Sequence, residues 1–245
     1  MKDMILKLLL VAIIASACKK KSVQDGTPAP EGLTQLTETA NGITYRLITP
    51  IETQHLKGIL VIGSGNDENN PGPGALDGAA ENAVCQKAAA AGYAAAIVAY
   101  RSGRGMGWND RATQMGQDFD RCISALAQKY GIPKSRSVAG GFSYTSYMLL
   151  TEISAGNSLN YCQGLLAACG SAGAWNAQNF KIPIYSITCS GGADGAYAGQ
   201  ALYDQIPVNS PVKGKSAGLT DTTCSTHCGG NWTDLLVAQT KAWLP

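Results

Sequence analysis

Three residues of this chain have types and spacing that could perform acyl transfer: a serine, an acid and a histidine. Ser143 stands in the pentapeptide Gly141-Phe-Ser-Tyr-Thr145, close to the G-x-S-x-G pattern that places a serine on a tight turn between a strand and a helix. Asp194 lies in a glycine-rich segment, and His227 is one of two histidines in 245 residues. A serine hydroxyl becomes a nucleophile when an imidazole takes its proton and a carboxylate orients that imidazole. These residues predict attack on a carbonyl, provided that the fold brings them together.

The elements around these residues predict an α/β fold. The Asn41-Gly42 dipeptide predicts an antiparallel hairpin over residues 33–40 and 43–49. Apolar runs without alternation, typical of strands buried on both faces, follow at 58–63, 93–100, 137–140, 164–169 and 182–189. Helices are expected at 78–91, 109–130, 145–155 and 231–243, and after residue 195. The alternation predicts a mostly parallel sheet with helices on both faces.

The predicted strands also place the candidate residues at one edge of the sheet. Ligands of such sheets bind beyond the carboxyl ends of the strands. Ser143, Asp194 and His227 each follow a predicted strand, the last of them a weak one, whereas His55 precedes the strand at 58–63. His227 is therefore the expected base.

The chain order serine, acid, histidine, each after a strand, resembles the α/β-hydrolase family. The resemblance spans about residues 33–245 and implies an eight-stranded, mostly parallel sheet whose first pair is antiparallel. It implies that Ser143 attacks the substrate, that His227 transfers the proton and that Asp194 orients His227. Thr145 departs from the family pattern, which has a glycine at that position.

The resemblance also implies an oxyanion site of two backbone N–H groups. One belongs to Tyr144, which follows the nucleophile. The other belongs to Ser64 or Gly65, in the loop where many members have His-Gly. Trp108 and Trp175 follow strand ends and are expected to line the substrate cleft. The short segment between the strands at 164–169 and 182–189 leaves no room for a large lid.

The composition and the N-terminus predict export. Only 15% of the residues are charged, the net charge is +2 and there are 8 cysteines, a pattern that favours an extracytoplasmic protein and gives no reason to expect nucleic acid as a partner. Residues 1–17 carry a short apolar run and small residues before Cys18, which resembles a bacterial lipoprotein signal. Residues 18–32 then form the lipidated cysteine and a flexible tether, and 33–245 the catalytic domain. The alternative is an ordinary secretory signal.

The remaining cysteines suggest disulfides near the predicted site. Seven remain if Cys18 is lipidated, so at least one is unpaired when all bonds are intramolecular. Cys169 and Cys189 end neighbouring predicted strands and could approach each other. A bond from Cys224 or Cys228 to Cys189 would fasten the histidine loop to the acid loop.

Two other functions fit the same residues less well. Gly63-Ser-Gly65 after a strand resembles the start of a dinucleotide site, but the third glycine is absent. Cys224-x-x-His227-Cys228 could ligate zinc, but no second compact cluster completes the site. The sequence thus predicts no cofactor and no metal.

The predicted function is that of an exported, lipid-anchored serine hydrolase in the bacterial cell envelope. Its expected partners are a small or polymer-borne ester and, through the lipid alone, a membrane. The alternatives are a non-catalytic binding protein of the same fold and an amide or peptide hydrolase. The sequence makes no prediction about the oligomeric state.

Overall fold

A computed structural model describes residues 22–23, 30–191 and 194–245 of the chain. The residues within these ranges form one sheet with strand order β1-β2-β3-β5-β4-β6-β7-β8-β9. The strands are β1 (Ser22–Val23), β2 (Leu33–Ala40), β3 (Ile43–Pro50), β4 (Ile59–Gly63), β5 (Ala94–Ala99), β6 (Ser137–Phe142), β7 (Leu165–Ala168), β8 (Ile184–Cys189) and β9 (Ala217–Asp221). The helices are α1 (Ala79–Ala90), α2 (Trp108–Tyr130), α3 (Tyr144–Ala155), α4 (Ala174–Gln178), α5 (Gly199–Asp204) and α6 (Thr233–Trp243).

In this spatial order, the neighbouring strands from β5 through β4 to β9 are parallel. The hairpin of β2 and β3 is antiparallel. The predicted fold is therefore confirmed, with the two-residue strand β1 added beside β2. Asn41 and Gly42 have φ values of 53° and 73° at the hairpin turn. Such left-handed conformations are those that an Asn-Gly turn supplies.

Both faces of the sheet are buried, which explains the unbroken apolar runs. In β4, Ile59 and Val61 pack on one face and Leu60 and Ile62 on the other, all of them almost completely buried. Helices α2, α3 and α5 cover the first face, while α1 and α6 cover the second. Burial of each such side chain stabilises the fold by about 1.5–3 kcal/mol. The sheet is thus a rigid platform whose carboxyl edge carries the loops.

The predicted signal peptide (1–17) and Cys18 lie outside the described residues. Within the described part of the chain, no helix has the length and apolar character needed to span a bilayer. Between β7 and β8 the chain contains only the short helix α4.

Candidate active site

Ser143 occupies the turn that links β6 to α3. Its backbone has φ 48° and ψ −121°, a conformation that costs a non-glycine residue about 1–3 kcal/mol. Its N–H donates to the carbonyl of Ala168 at 3.0 Å, which fixes the turn against β7. Gly141 must lack a side chain because a Cβ there would lie 2.3 Å from Cγ2 of Thr145. The sharp turn presents the Ser143 hydroxyl at the carboxyl edge of the sheet.

The three residues predicted from the sequence meet at this edge. Ser143 Oγ lies 2.7 Å from Nε2 of His227. The other ring nitrogen, Nδ1, is hydrogen-bonded to Oδ1 of Asp194. Asp194 is only 2% exposed, and its second oxygen accepts a hydrogen bond from the hydroxyl of Thr188 on β8. A buried carboxylate needs such partners, and this one fixes the imidazole so that Nε2 faces the serine hydroxyl.

Thr145 is accommodated by two glycines. Its side chain is completely buried and fills the space above Gly63 and Gly141, where a Cβ on either glycine would approach it within 2.6 Å. Its hydroxyl donates to the carbonyl of Ser64. Thr145, which stands where the family pattern has a glycine, therefore links the Ser143 turn to the loop after β4.

That loop carries the predicted second oxyanion donor. The Ser64 carbonyl accepts hydrogen bonds from Thr145 and from the hydroxyl of Tyr100, the latter at 2.9 Å, so it faces the interior. A Cβ on Gly65 would lie 3.1 Å from Cβ of Ser143, which places Gly65 in contact with the nucleophile. On the other side of Ser143, the Tyr144 N–H belongs to the first turn of α3, where N–H groups have no intrahelical acceptor. The structure thus places the Tyr144 N–H and the loop of Ser64 and Gly65 beside Ser143.

Glu81 is a buried carboxyl group beside the same loop. It lies in the first turn of α1, and burial raises its pKa, while hydrogen bonds from backbone N–H groups, including that of Gly65, lower it. Nothing in the residue types marked this neighbour in advance, because the contact depends on how α1 packs against β4.

Two disulfides hold the segment that carries His227. Residues 222–232 connect β9 to α6. Cys224 is bonded to Cys189 and Cys228 to Cys169, with Cα–Cα distances of 5.1 and 5.2 Å. The predicted bond from the histidine loop to Cys189 is present, made by Cys224. Cys169 and Cys189 are not bonded to each other.

The same pairing bears on the predicted absence of a zinc site. The side chains of Cys169, His227 and Cys228 approach one another closely enough for a metal. Both sulfur atoms belong to a disulfide, so neither is a thiolate, the form of cysteine that binds zinc.

The cleft in front of Ser143 has a volume of about 420 Å³. It is lined by Ser143, Tyr144, Tyr147 and His227 and by the loop residues 66–69. That loop includes Asp67 and Glu68, whose carboxylates form no ion pair among the described residues. Asp67 and Glu68 therefore give this wall of the cleft two carboxylate side chains.

The two predicted cleft tryptophans lie in different places. Trp108 lines a second cavity of about 320 Å³, which shares Glu68 and Tyr147 with the cleft. Trp175, on α4, is 61% exposed and lines neither of these cavities.

Sequence reasoning missed Thr188 and Tyr100, since a threonine and a tyrosine within apolar runs carry no local sign of a role.

Known structures share this architecture. An acetyl xylan esterase from Paenibacillus sp. R4 is 12% identical, with a TM-score of 0.63 over 92% of this chain and 88% of that one. The lidless α/β serine hydrolase XC6422 from Xanthomonas campestris is 16% identical, with a TM-score of 0.60 over 89% and 99% of the two chains. The esterase Pf2001 from Pyrococcus furiosus is 12% identical, with a TM-score of 0.59 over 93% and 94%.

These similarities define the fold class of the protein. The chain has the α/β-hydrolase fold, without a large lid in its described part. At the level of sequence, no protein-family model and no curated protein matches it.

Proposed function

We propose that this protein is a serine hydrolase that cleaves carboxylic esters. The observation that carries the proposal is the hydrogen-bonded series Ser143–His227–Asp194, with Ser143 on a strained turn at the edge where the fold binds ligands. The similar solved structures include proteins described as esterases, which supports an ester as the substrate.

In this proposal, each step of acyl transfer has a residue to perform it. Ser143 Oγ attacks the ester carbonyl as His227 Nε2 takes its proton, and Asp194 stabilises the imidazolium that forms. The N–H of Tyr144 and one N–H of the loop after β4 hold the oxyanion. His227 then protonates the leaving alcohol, and a water activated by the same imidazole releases the acid from the acyl-enzyme. Loss of one oxyanion donor in such a site costs about 10²–10³ in rate.

The shape and charge of the cleft limit the range of substrates that we expect. With only α4 between β7 and β8, the cleft is open to esters borne on large molecules as well as to small ones. Asp67 and Glu68 at its rim disfavour substrates that carry carboxylate or phosphate close to the scissile bond. We therefore expect neutral esters.

The proposal includes a lipid anchor at Cys18 and a place in the bacterial cell envelope. Its support is the sequence of the first 18 residues alone. Expression of the full chain in a bacterium, with partition into a detergent phase as the readout, tests it. Cys18→Ser should move the protein to the aqueous phase, and an unchanged partition would remove the anchor from the proposal.

The catalytic role is tested by labelling with a fluorophosphonate probe and by hydrolysis of p-nitrophenyl acetate. Wild type should label once and turn the ester over, and Ser143→Ala should do neither. Ser135→Ala is the matched control, because Ser135 is an exposed serine before β6, at the opposite edge of the sheet. Equal labelling of wild type and Ser143→Ala would show that Ser143 is not the nucleophile.

A further inference from the structure

The second cavity, which Trp108 lines, lies beside the catalytic cleft. The two share Glu68 and Tyr147, so a molecule bound at Ser143 can extend from one into the other. At about 320 Å³ the second cavity is near the lower limit of ligand sites, large enough for one ring of a substrate.

The cavity presents an aromatic ring that is both exposed and fixed. Trp108 is 41% exposed, although its ring is held by two contacts. Its Nε1 donates to Oγ1 of Thr151 at 3.0 Å, and its ring meets that of Tyr147 edge to face at 6.5 Å. A ring fixed in this way binds a ligand with little loss of side-chain freedom. An exposed tryptophan with no orienting partner would lose more side-chain conformational freedom on binding.

Besides several hydroxyl groups, the cavity has two side-chain acceptors, the Glu68 carboxylate and the Asn176 carbonyl oxygen. The Glu68 carboxylate has no ion-pair partner among the described residues, and Arg111 binds the Glu68 backbone carbonyl rather than its carboxylate. The Asn176 amide donates its N–H to Ser154 at 2.7 Å, which leaves its carbonyl oxygen to accept. Acceptors beside a fixed aromatic ring suit a ligand that has hydroxyl groups at its edge, an apolar face and no negative charge.

We propose that this cavity is a subsite for a neutral sugar ring, with the apolar face of the sugar on Trp108 and its hydroxyl groups toward Glu68 and Asn176. The inference rests on the proposed function and names its substrate as an acylated carbohydrate. A simple aliphatic chain would leave the acceptors of the cavity without partners, and an acidic sugar would meet the charge of Glu68.

The test compares two esters of the same acid, an acetylated neutral methyl glycoside and p-nitrophenyl acetate. Trp108→Ala should raise the KM of the sugar ester about tenfold, so that the ratio of its kcat/KM to that of p-nitrophenyl acetate falls by the same factor. Trp108→Phe keeps a ring and should recover most of the ratio. Trp175→Ala removes a more exposed indole that lies outside both cavities, and it should leave the ratio unchanged.

Two outcomes overturn the subsite. The first is a fall in kcat/KM of equal size for both esters in Trp108→Ala. The second is a fall in kcat/KM for esters of butyrate or longer acids instead of the sugar ester, which would make the cavity an acyl pocket. The proposed function is judged separately. If wild type hydrolyses neither ester, calorimetry of a neutral oligosaccharide with wild type and Trp108→Ala decides the subsite, and loss of binding in the variant supports it while equal or no binding refutes it.

Discussion

Removing the two disulfides one at a time should distinguish their effect on the stability of the fold from their effect on the position of His227. Cys189–Cys224 and Cys169–Cys228 both join the segment 222–232 to the ends of buried strands. Cys228 is adjacent to His227 in the chain, whereas Cys224 is three residues away. The two bonds should therefore have similar effects on unfolding and different effects on catalysis.

The sequence separations set the expected loss of stability. They are 35 residues for Cys189–Cys224 and 59 for Cys169–Cys228. Loop-closure entropy then gives about 3.8 and about 4.2 kcal/mol at 25 °C. For a protein of this size, 4 kcal/mol corresponds to a fall in Tm of about 8–16 °C.

Catalysis should respond to the position of His227. A displacement of about 1 Å in a catalytic group costs about 10²-fold in rate. Cys169→Ser/Cys228→Ser should lower kcat by that order at a temperature where circular dichroism shows the variant folded, and Cys189→Ser/Cys224→Ser should lower it less. Cys162→Ser is the control, because Cys162 is a free buried cysteine that precedes β7, away from the carboxyl edge.

The reasoning is refuted if the folded double variants keep the kcat of wild type. The bonds would then stabilise the fold without positioning the base. Equal losses of kcat in both pairs would contradict the narrower claim that proximity to His227 decides the effect.

Three further predictions concern the hydrogen bond of Thr145, the packing of the Ser143 turn and a buried acid. Thr145→Val removes the hydrogen bond to the Ser64 carbonyl, worth about 0.5–1.5 kcal/mol, and should lower kcat with little change in KM. Thr145→Ser keeps the hydroxyl group and should recover kcat in the same assay. Gly141→Ala should lower the free energy of unfolding in urea by about 1–3 kcal/mol through overpacking, whereas Gly214→Ala, with nothing within 4 Å of the new Cβ, should leave it unchanged. Burial raises the pKa of Glu152, so the folded state retains a proton that the unfolded state has lost, and stability falls as pH rises through that window. Glu152→Gln should lack this fall in urea titrations between about pH 4 and about pH 8, and an identical fall in the variant would assign it to another group.

Sequence reasoning reached the strands and the edge that carries the site because both follow from local signals. Unbroken apolar runs such as 58–63 indicate burial on both faces, and turn residues such as Asn41-Gly42 indicate a hairpin. The parallel sheet then places every loop that follows a strand at one edge. Proximity of Ser143, Asp194 and His227 needed only their order along the chain and these rules.

What the sequence left open depends on contacts between distant segments. The sequence leaves the partner of Cys189 open among Cys169, Cys224 and Cys228. The path of residues 222–232 across the ends of β7 and β8 decides it. In the sequence Thr145 is only a departure from the family pattern, because its fit above Gly63 and Gly141 depends on the packing of separate elements. Neither relation has a local signature, since each joins residues from different elements of the fold.

The three members of the site are held by different means, which accounts for the position of the cysteines. Ser143 is fixed by a turn between two buried elements, and Asp194 by burial and its bond to Thr188. The His227 side chain is 39% exposed on a connection outside the regular elements, so packing cannot hold it as it holds the other two. Covalent bonds to the ends of β7 and β8 supply that restraint, and they start from Cys169 and Cys189, the residues that directly follow or end those strands. Disulfides placed at this edge therefore restrain the base where burial cannot, which is why their loss should act on turnover before it unfolds the protein.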